Sequence, residues 1–294
     1  MDSRKPLDAR AFSLMLVLTA LWGFQQVAIK LAAPDVSLVM QAALRTFLAA
    51  GLLLAWARWR GIALFSRDGT LAAGLGAGLL FGGEFVFVYA GLEHTAASRM
   101  VVFIYLAPIV TALGVHWLVP GEHLSRTQWA GVLLAFGGVA LAFGEGFLAA
   151  RGATLLGDLF GVVAAVLWGL TTVLIRASRL GHASAEKTLF YQLGVSAPLL
   201  LAASLAMGER GVVDLTPFAL ASLAYQGAIV AFASYLAWFW LLTRYLAGRL
   251  AVFSFMTPLF GVLAGVAVLG EPLRPAFAGA ALLVGAGIVL VNRR

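Results

Sequence analysis

The sequence predicts an all-α membrane protein with ten transmembrane helices, arranged as two inverted repeats of five helices. Three observations lead to this prediction. The 294-residue chain is 62% hydrophobic and only 11% charged, with a mean hydropathy of +0.97. Its apolar residues form ten runs, each about as long as one membrane span. The second half of the chain also repeats short sequences of the first half in the same order.

The composition excludes several classes of protein. A soluble domain carries roughly 25% charged residues, so this chain has too little polar surface to cover itself in water. The net charge of +7 comes from basic residues at the ends of apolar runs, which argues against a nucleic-acid partner. The chain has no cysteine, and it shows no metal-ligand spacing, Ser-His-Asp set or glycine-rich phosphate loop. We therefore expect no catalytic activity, cofactor or metal.

Each apolar run predicts one helix, because about 20 apolar residues cross a bilayer core of about 30 Å. The first run follows a polar segment, is longer than a signal-peptide core and lacks a convincing cleavage site, so we expect a retained helix. Charged or turn-forming breaks such as Pro120-Gly121-Glu122 and Gly270-Glu271-Pro272 separate the runs. In chain order the predicted helices cover residues 11–33, 36–57, 69–92, 100–119, 127–147, 154–177, 186–207, 217–243, 250–269 and 275–292.

Loop charge predicts the orientation. Ten spans place both termini on one side, and fourteen of the twenty basic residues lie on that side. Arg45 lies inside a span. Since basic loops stay in the cytoplasm, both termini are predicted to be cytoplasmic. The abundance of Arg, Ala, Gly and Leu is typical of a bacterial protein, so we expect a multi-pass protein of the bacterial inner membrane. The basic residues predicted on the other side are Lys30, Arg99, Arg151, Arg210 and Arg274.

Two sets of matches define the repeats. Leu21-Trp22-Gly23 returns as Leu167-Trp168-Gly169, and Tyr105-Leu106-Ala107-Pro108 returns as Phe255-Met256-Thr257-Pro258, at an offset of about 150 residues. We assign the first repeat to residues 1–148 and the second to 149–294. Five spans per half make the second repeat enter the membrane from the opposite face. Secondary transporters built in this way hold their substrate near the midplane, between the repeats.

These residues resemble the drug/metabolite transporter superfamily, of the type with paired EamA domains. The resemblance rests on Leu21-Trp22-Gly23, the arginine within Ala43–Ala50, a proline in the fourth run and the Gly121-Glu122 turn. It implies an exporter of small metabolites that works by alternating access, and the chain also resembles bacterial exporters of amino acids, including aromatic ones. Two departures are Glu93-His94 in the first half and Trp238-Phe239-Trp240 in place of a tyrosine motif in the second.

A central pocket is predicted from two matched helix faces, because residues three and four apart share one side of a helix. Rings and uncharged hydrogen-bonding groups at mid-span suit a small amphiphilic substrate. The alternative is that the amides and hydroxyls only link helices to one another. The residues concerned are Trp22, Gln25, Gln26, Trp168, Thr171 and Thr172.

Aromatic residues also concentrate in the third, fourth and eighth runs. At span ends such rings form interfacial belts, whereas rings near mid-span are candidates for lining the substrate path. We add the mid-span residues to the candidate binding site: Phe85, Tyr89, Tyr105, Tyr235 and Trp238.

Two charged residues fall inside spans. Arg45 would cost about 2.5 to 3.5 kcal/mol at the membrane centre, so it needs a partner or water. It binds a substrate carboxylate or forms a structural pair with Glu84 or backbone carbonyls, and its presence in the family pattern across many substrates favours a structural role. Glu84, beside Gly82 and Gly83, is either a coupling or cation site or one half of a buried ion pair.

Matched prolines, Pro108 and Pro258, are predicted either as paired hinges or as residues that shape the bundle. Glu122 and Glu271 near helix starts are interpreted as structural, and Asp158 as a cap. The expected partners are a small-molecule substrate and the lipid bilayer. Rival functions are efflux of cationic drugs and, less favoured, an intramembrane enzyme acting on lipid. The sequence leaves open the energy source and the oligomeric state.

Overall fold

A computed structural model describes residues 6–92, 94–95, 97–143, 154–270 and 275–293. Within these residues the secondary structure is helical, and the one extended contact is a single bridge between Val36 and Val212. The prediction of an all-α protein is confirmed. Glu93, noted as a departure from the family pattern, and Glu271, interpreted as structural, lie outside the described residues.

The described residues form ten long helical segments, which we number in chain order. They are α1 Ala9–Ala32, α2 Leu38–Arg60, α3 Leu71–Leu92, α4 Ala97–Ile104 with Ala107–Leu118, α5 Arg126–Phe143, α6 Thr154–Ala177, α7 Ala185–Ala206, α8 Pro217–Ala224 with Tyr225–Ser234 and Tyr235–Arg244, α9 Ala247–Ala251 with Val252–Phe255 and Met256–Leu269, and α10 Ala276–Asn292.

Eight of these segments contain a stretch long and apolar enough to cross a membrane. The two that do not are α5, which begins with the polar residues Arg126 and Gln128, and α10, which has 17 residues. The described part of the chain therefore supports a multi-pass α-helical membrane protein with at least eight candidate spans.

Three spans depart from regular α-helix. In α4 the helix stops at Ile104 and restarts at Ala107, because the ring of Pro108 clashes with the carbonyl of the residue four positions earlier. In α9 the equivalent turn before Pro258 is a 3-10 helix over Val252–Phe255. The span predicted at 100–119 corresponds to the 19-residue apolar stretch Met100–Leu118, which contains this interruption at the predicted proline. In α8, Tyr225–Ser234 forms a π-helix, a rare form that often marks functional sites.

Helix packing shows a two-fold exchange between the halves: if two helices touch, their counterparts in the other half of the chain also touch. Helix α1 packs on α9, and the equivalent pair α6 and α4 also packs together. The same holds for α2 with α8 and α7 with α3, whereas the pairs α2 with α7 and α5 with α10 map onto themselves. Each of these pairs joins one half of the chain to the other. The halves are thus interlocked rather than separate bodies.

The repeated Leu-Trp-Gly motif marks two of these contacts. A Cβ at Gly23 in α1 would lie 2.6 Å from the Gly261 nitrogen of α9. A Cβ at Gly169 in α6 would lie 2.6 Å from the Val110 Cβ of α4. Only glycine permits helices to approach this closely, as is common in membrane bundles. The motif glycines therefore fix the two equivalent helix pairs and place Trp22 and Trp168 beside them.

Loops fasten the helix pair α2 and α7 at both ends. Glu209 in the α7–α8 loop accepts hydrogen bonds of 3.0 Å each from the Val39 and Met40 amides at the start of α2, where a helix favours a negative charge. The α2–α3 loop makes the equivalent contact at the start of α7, where Lys187 Nζ donates to Asp68 Oδ2 at 2.7 Å. This hydrogen bond holds the pKa of Asp68 well below its usual range.

Candidate functional site

The predicted aromatic residues of α1, α3 and α8 lie in one continuous set of ring contacts, which we call the first aromatic group. The Trp22 indole donates a hydrogen bond of 2.8 Å to Ser234 Oγ at the end of the π-helix. Its ring centroid lies 6.3 Å from that of Tyr235 and 5.9 Å from that of Trp238. The set continues from Tyr235 to Phe81, Phe85 and Tyr89.

A second aromatic group surrounds Trp168. Its ring lies 5.8 Å from Tyr105 of α4, and Tyr105 lies 6.4 Å from Phe255 of α9. Phe136 of α5 extends this group. Trp22 therefore meets rings of the second half, and Trp168 meets a ring of the first half. Both predicted tryptophans contact aromatic residues of the opposite half of the chain.

The polar members of the two predicted faces are divided between different environments. Gln25 is buried and makes no hydrogen bond with the described residues, whereas Gln26 is exposed. The side chains of Gln25 and Gln26 therefore do not share one surface. Thr171 and Thr172 are both buried, and Thr171 Oγ donates to the Leu167 carbonyl of its own helix at 2.8 Å. That bond satisfies the hydroxyl locally, as threonine often does within helices.

Arg45 and Glu84 are both buried within the bundle, with exposed fractions of 2% and 7%. No nitrogen of Arg45 lies within 4.0 Å of a Glu84 oxygen, so the anticipated direct ion pair is not formed between these two described residues. The guanidinium instead lies over the Phe85 ring, 4.7 Å from its centroid. Its Nε and Nη1 atoms have no hydrogen-bond partner.

Glu122, which the sequence interprets as structural, lies in the loop between α4 and α5 and links α6 to the start of α9. Its carboxylate forms a buried ion pair with Arg176 of α6 and accepts a 2.7 Å hydrogen bond from the Ala247 amide. It therefore stabilises the start of α9, which is distant from it in the sequence. The Arg176 partnership was missed, although both residues stand in repeated motifs whose counterparts are Lys30 and Glu271. Glu271 lies outside the described part of the chain.

Asp158, predicted as a cap, and His116 make local hydrogen bonds. Asp158 accepts a 3.0 Å hydrogen bond from Thr95, which ties α6 to the segment that precedes α4. His116 Nδ1 accepts a 2.9 Å hydrogen bond from the Leu124 amide beyond the end of α4. No group of three or more potential metal-binding side chains occurs among residues that the structure describes.

The aromatic groups pack closely in this conformation. The two best-formed cavities have volumes of only about 10 Å³ each, roughly the room for one water molecule, and neither is lined by Trp22 or Trp168. Both cavities lie near the buried Glu122–Arg176 pair.

The fold and the site together define a class of protein. Apolar spans with interlocked halves, and aromatic and charged side chains buried where the halves meet, are typical of membrane transporters. The chain belongs to the EamA-like transporter family, which it matches twice, over residues 9–144 and 155–293. This result confirms the resemblance seen in the motifs. The protein is accordingly a transporter and not an enzyme.

Individual relatives agree with this assignment. The chain is 30% identical over 268 residues to an uncharacterized transporter of Archaeoglobus fulgidus, an alignment covering 88% of this chain and 89% of that protein. It is 25% identical to a probable amino-acid metabolite efflux pump of Salmonella typhimurium, covering 94% of this chain and 93% of the pump. A crystal structure with 21% identity shares the fold, with a TM-score of 0.80 over 96% of this chain and 98% of its own.

Proposed function

We propose that the protein exports small metabolites, amino acids including aromatic ones among them, across a bacterial inner membrane. The observation that carries the proposal is the pair of aromatic groups built on Trp22 and Trp168, each joining the two halves of the chain. Aromatic rings supply stacking surface for an aromatic side chain. The named function of the Salmonella typhimurium relative gives further support for amino-acid export.

The proposed mechanism is alternating access between two inverted repeats, residues 1–148 and 149–294, with ten spans and cytoplasmic termini. The two-fold exchange of helix contacts supports this arrangement, since inverted repeats pack equivalent helices in equivalent ways. Separation of the halves on one side and then the other would expose the aromatic groups alternately. The interruptions of α4 and α9 before Pro108 and Pro258 are suitable hinges for that motion.

Transport by the purified protein in liposomes tests this proposal. Labelled phenylalanine, alanine and a cationic dye are loaded inside, and their release is followed with and without a proton gradient. We expect faster release of phenylalanine than from loaded liposomes that lack the protein. Comparing release with and without the proton gradient separates passive from proton-coupled transport. If every amino acid is released no faster than from loaded liposomes without protein, amino-acid export is rejected.

Efflux of cationic compounds is the second candidate. It is favoured by one observation, the buried Glu84 that has no cationic side chain within 4.0 Å among the described residues. A carboxylate beside aromatic rings attracts organic cations. Release of the dye without release of phenylalanine would support this alternative.

A further inference from the structure

Two ionisable side chains of opposite type, Arg45 and Glu84, lie buried in neighbouring helices without direct contact. Arg45 of α2 has two guanidinium nitrogens without hydrogen-bond partners. Glu84 of α3 makes no hydrogen bond or ion pair with any residue that the structure describes. Buried charges in membrane proteins are strongly unfavourable unless something pairs with them. Among the described residues, neither charge therefore has an oppositely charged side chain in contact with it.

The surroundings of the two charges are aromatic. The Arg45 guanidinium lies over the Phe85 ring, and Phe85 stacks on Tyr89 with 6.4 Å between ring centroids. Tyr89 and Tyr235 both lie within range of an electrostatic interaction with Arg45 and with Glu84. Cation, carboxylate and aromatic surface thus occur together at the junction of α2, α3 and α8.

We propose that Arg45 and Glu84 bind the two charges of a zwitterionic amino acid, Arg45 its carboxylate and Glu84 its ammonium group. The planar guanidinium suits a carboxylate because it can donate two parallel hydrogen bonds. The adjacent rings would then pack against the amino-acid side chain. A direct Arg45–Glu84 pair would leave neither charge available, so their separation is what a zwitterion site requires. This inference rests on the proposed amino-acid export and deepens it by assigning the recognition of each end.

Three probes separate the two halves of this site. Phenylalanine carries both charges, phenethylamine carries only the ammonium group, and 3-phenylpropionate carries only the carboxylate. Their binding to purified protein in detergent is measured by isothermal titration calorimetry at neutral pH, so passive leakage of the probes through lipid does not enter.

We expect Arg45→Gln to weaken binding of phenylalanine and 3-phenylpropionate by about tenfold or more, while phenethylamine binding stays unchanged. Glu84→Gln should show the mirror pattern, weakening phenylalanine and phenethylamine but not 3-phenylpropionate. Arg45→Lys keeps the charge and should preserve the ranking of the probes. The matched control is Arg244→Gln, which removes an exposed arginine that also lies over a ring, that of Trp240, 4.7 Å away. It should change none of the three affinities.

The outcomes distinguish this inference from the proposed function. Equal weakening of all three probes by both variants would mean that Arg45 and Glu84 are structural, and would overturn the zwitterion site while leaving export intact. The zwitterion site is likewise overturned if neither variant changes any affinity. If Arg45→Gln fails to fold, Arg45→Lys and Glu84→Gln still decide the matter through the ranking of the probes. If the unaltered protein neither binds nor transports phenylalanine, export of aromatic amino acids itself is rejected.

Discussion

At the scale of single residues, Trp168 provides the sharpest test of the proposed substrate path. Replacing Trp168 with alanine removes its ring contact with Tyr105 and, in our proposal, a stacking surface for substrate. Such a contact contributes about 0.5 to 1.5 kcal/mol, so phenylalanine transport should fall about two- to tenfold relative to alanine transport. The ratio is measured in liposomes. Trp117→Ala, at an exposed ring of α4, is the control and should leave it unchanged; an unchanged ratio for Trp168→Ala would remove this residue from the path.

The sequence identified Arg45 and Glu84 by a simple physical argument, because charges inside an apolar run are costly and therefore conspicuous. It could not determine whether they meet. That depends on the rotation of α2 and α3 about their axes and on Phe85, whose ring receives the guanidinium. The sequence likewise could not show that Gln25 is buried and Gln26 exposed. Adjacent residues differ by about 100° around a helix, and only packing decides which one is buried.

At the scale of elements, the buried pair of Glu122 and Arg176 joins the loop before α5 to α6 and the start of α9. Glu122→Gln keeps an acceptor for the Ala247 amide but removes the buried negative charge that faces Arg176, which should cost about 3 to 5 kcal/mol. Adding Arg176→Met should restore much of this loss. Thermal unfolding in detergent measures both variants, with Glu186→Gln as control. A double variant no more stable than Glu122→Gln would show that the charge imbalance is not the cause.

The Lys187–Asp68 contact between the α2–α3 loop and α7 predicts a pH dependence. Because the folded pKa of Asp68 is depressed by its hydrogen bond from Lys187, its stabilisation is fully present above the unfolded pKa of about 3.9 and is lost as pH falls through the folded pKa. The difference in melting temperature between the unaltered protein and Asp68→Asn should therefore be constant from about pH 5 to 8 and shrink only in stronger acid. The exposed Asp214→Asn serves as control. A difference that disappears near neutrality would contradict this assignment.

Most helices were predictable because apolar runs bounded by charges fix where spans begin and end. The exceptions have specific causes. Helix α9 begins at Ala247 rather than near 250, because the Glu122 carboxylate, distant in sequence, accepts the Ala247 amide. The break in α4 carries a local signal in Pro108. The π-helix in α8 carries no local signal that we recognise, and it ends where Ser234 receives the Trp22 indole.

At the scale of the whole molecule, the sequence indicated two repeats through matched motifs but gave no information on which helices touch. The structure supplies this information, and the repeated motifs then acquire a physical meaning. Gly23 and Gly169 are points of close approach in the equivalent pairs α1 with α9 and α6 with α4. Pairing across the halves depends on side-chain size at many positions at once, which no single motif encodes.

The proposed inverted arrangement makes a direct prediction, because it places the α2–α3 and α7–α8 loops, as equivalent parts of the two repeats, on opposite sides of the membrane. The natural chain has no cysteine, so single cysteines report their own position. Asp214→Cys, exposed in the α7–α8 loop, should react with a membrane-impermeant maleimide added to intact cells. Arg60→Cys, exposed at the end of α2, should react only after permeabilisation.

A membrane-permeant maleimide, which should label both variants, controls for reactivity. The basic residues near Arg60 predict that its loop is the cytoplasmic one, since the cytoplasmic side retains positive charge. Reversed labelling would place the termini outside but keep the inversion. Labelling of both cysteines from the same side would overturn the inversion itself, and with it the alternating access that equivalent, oppositely oriented halves would provide.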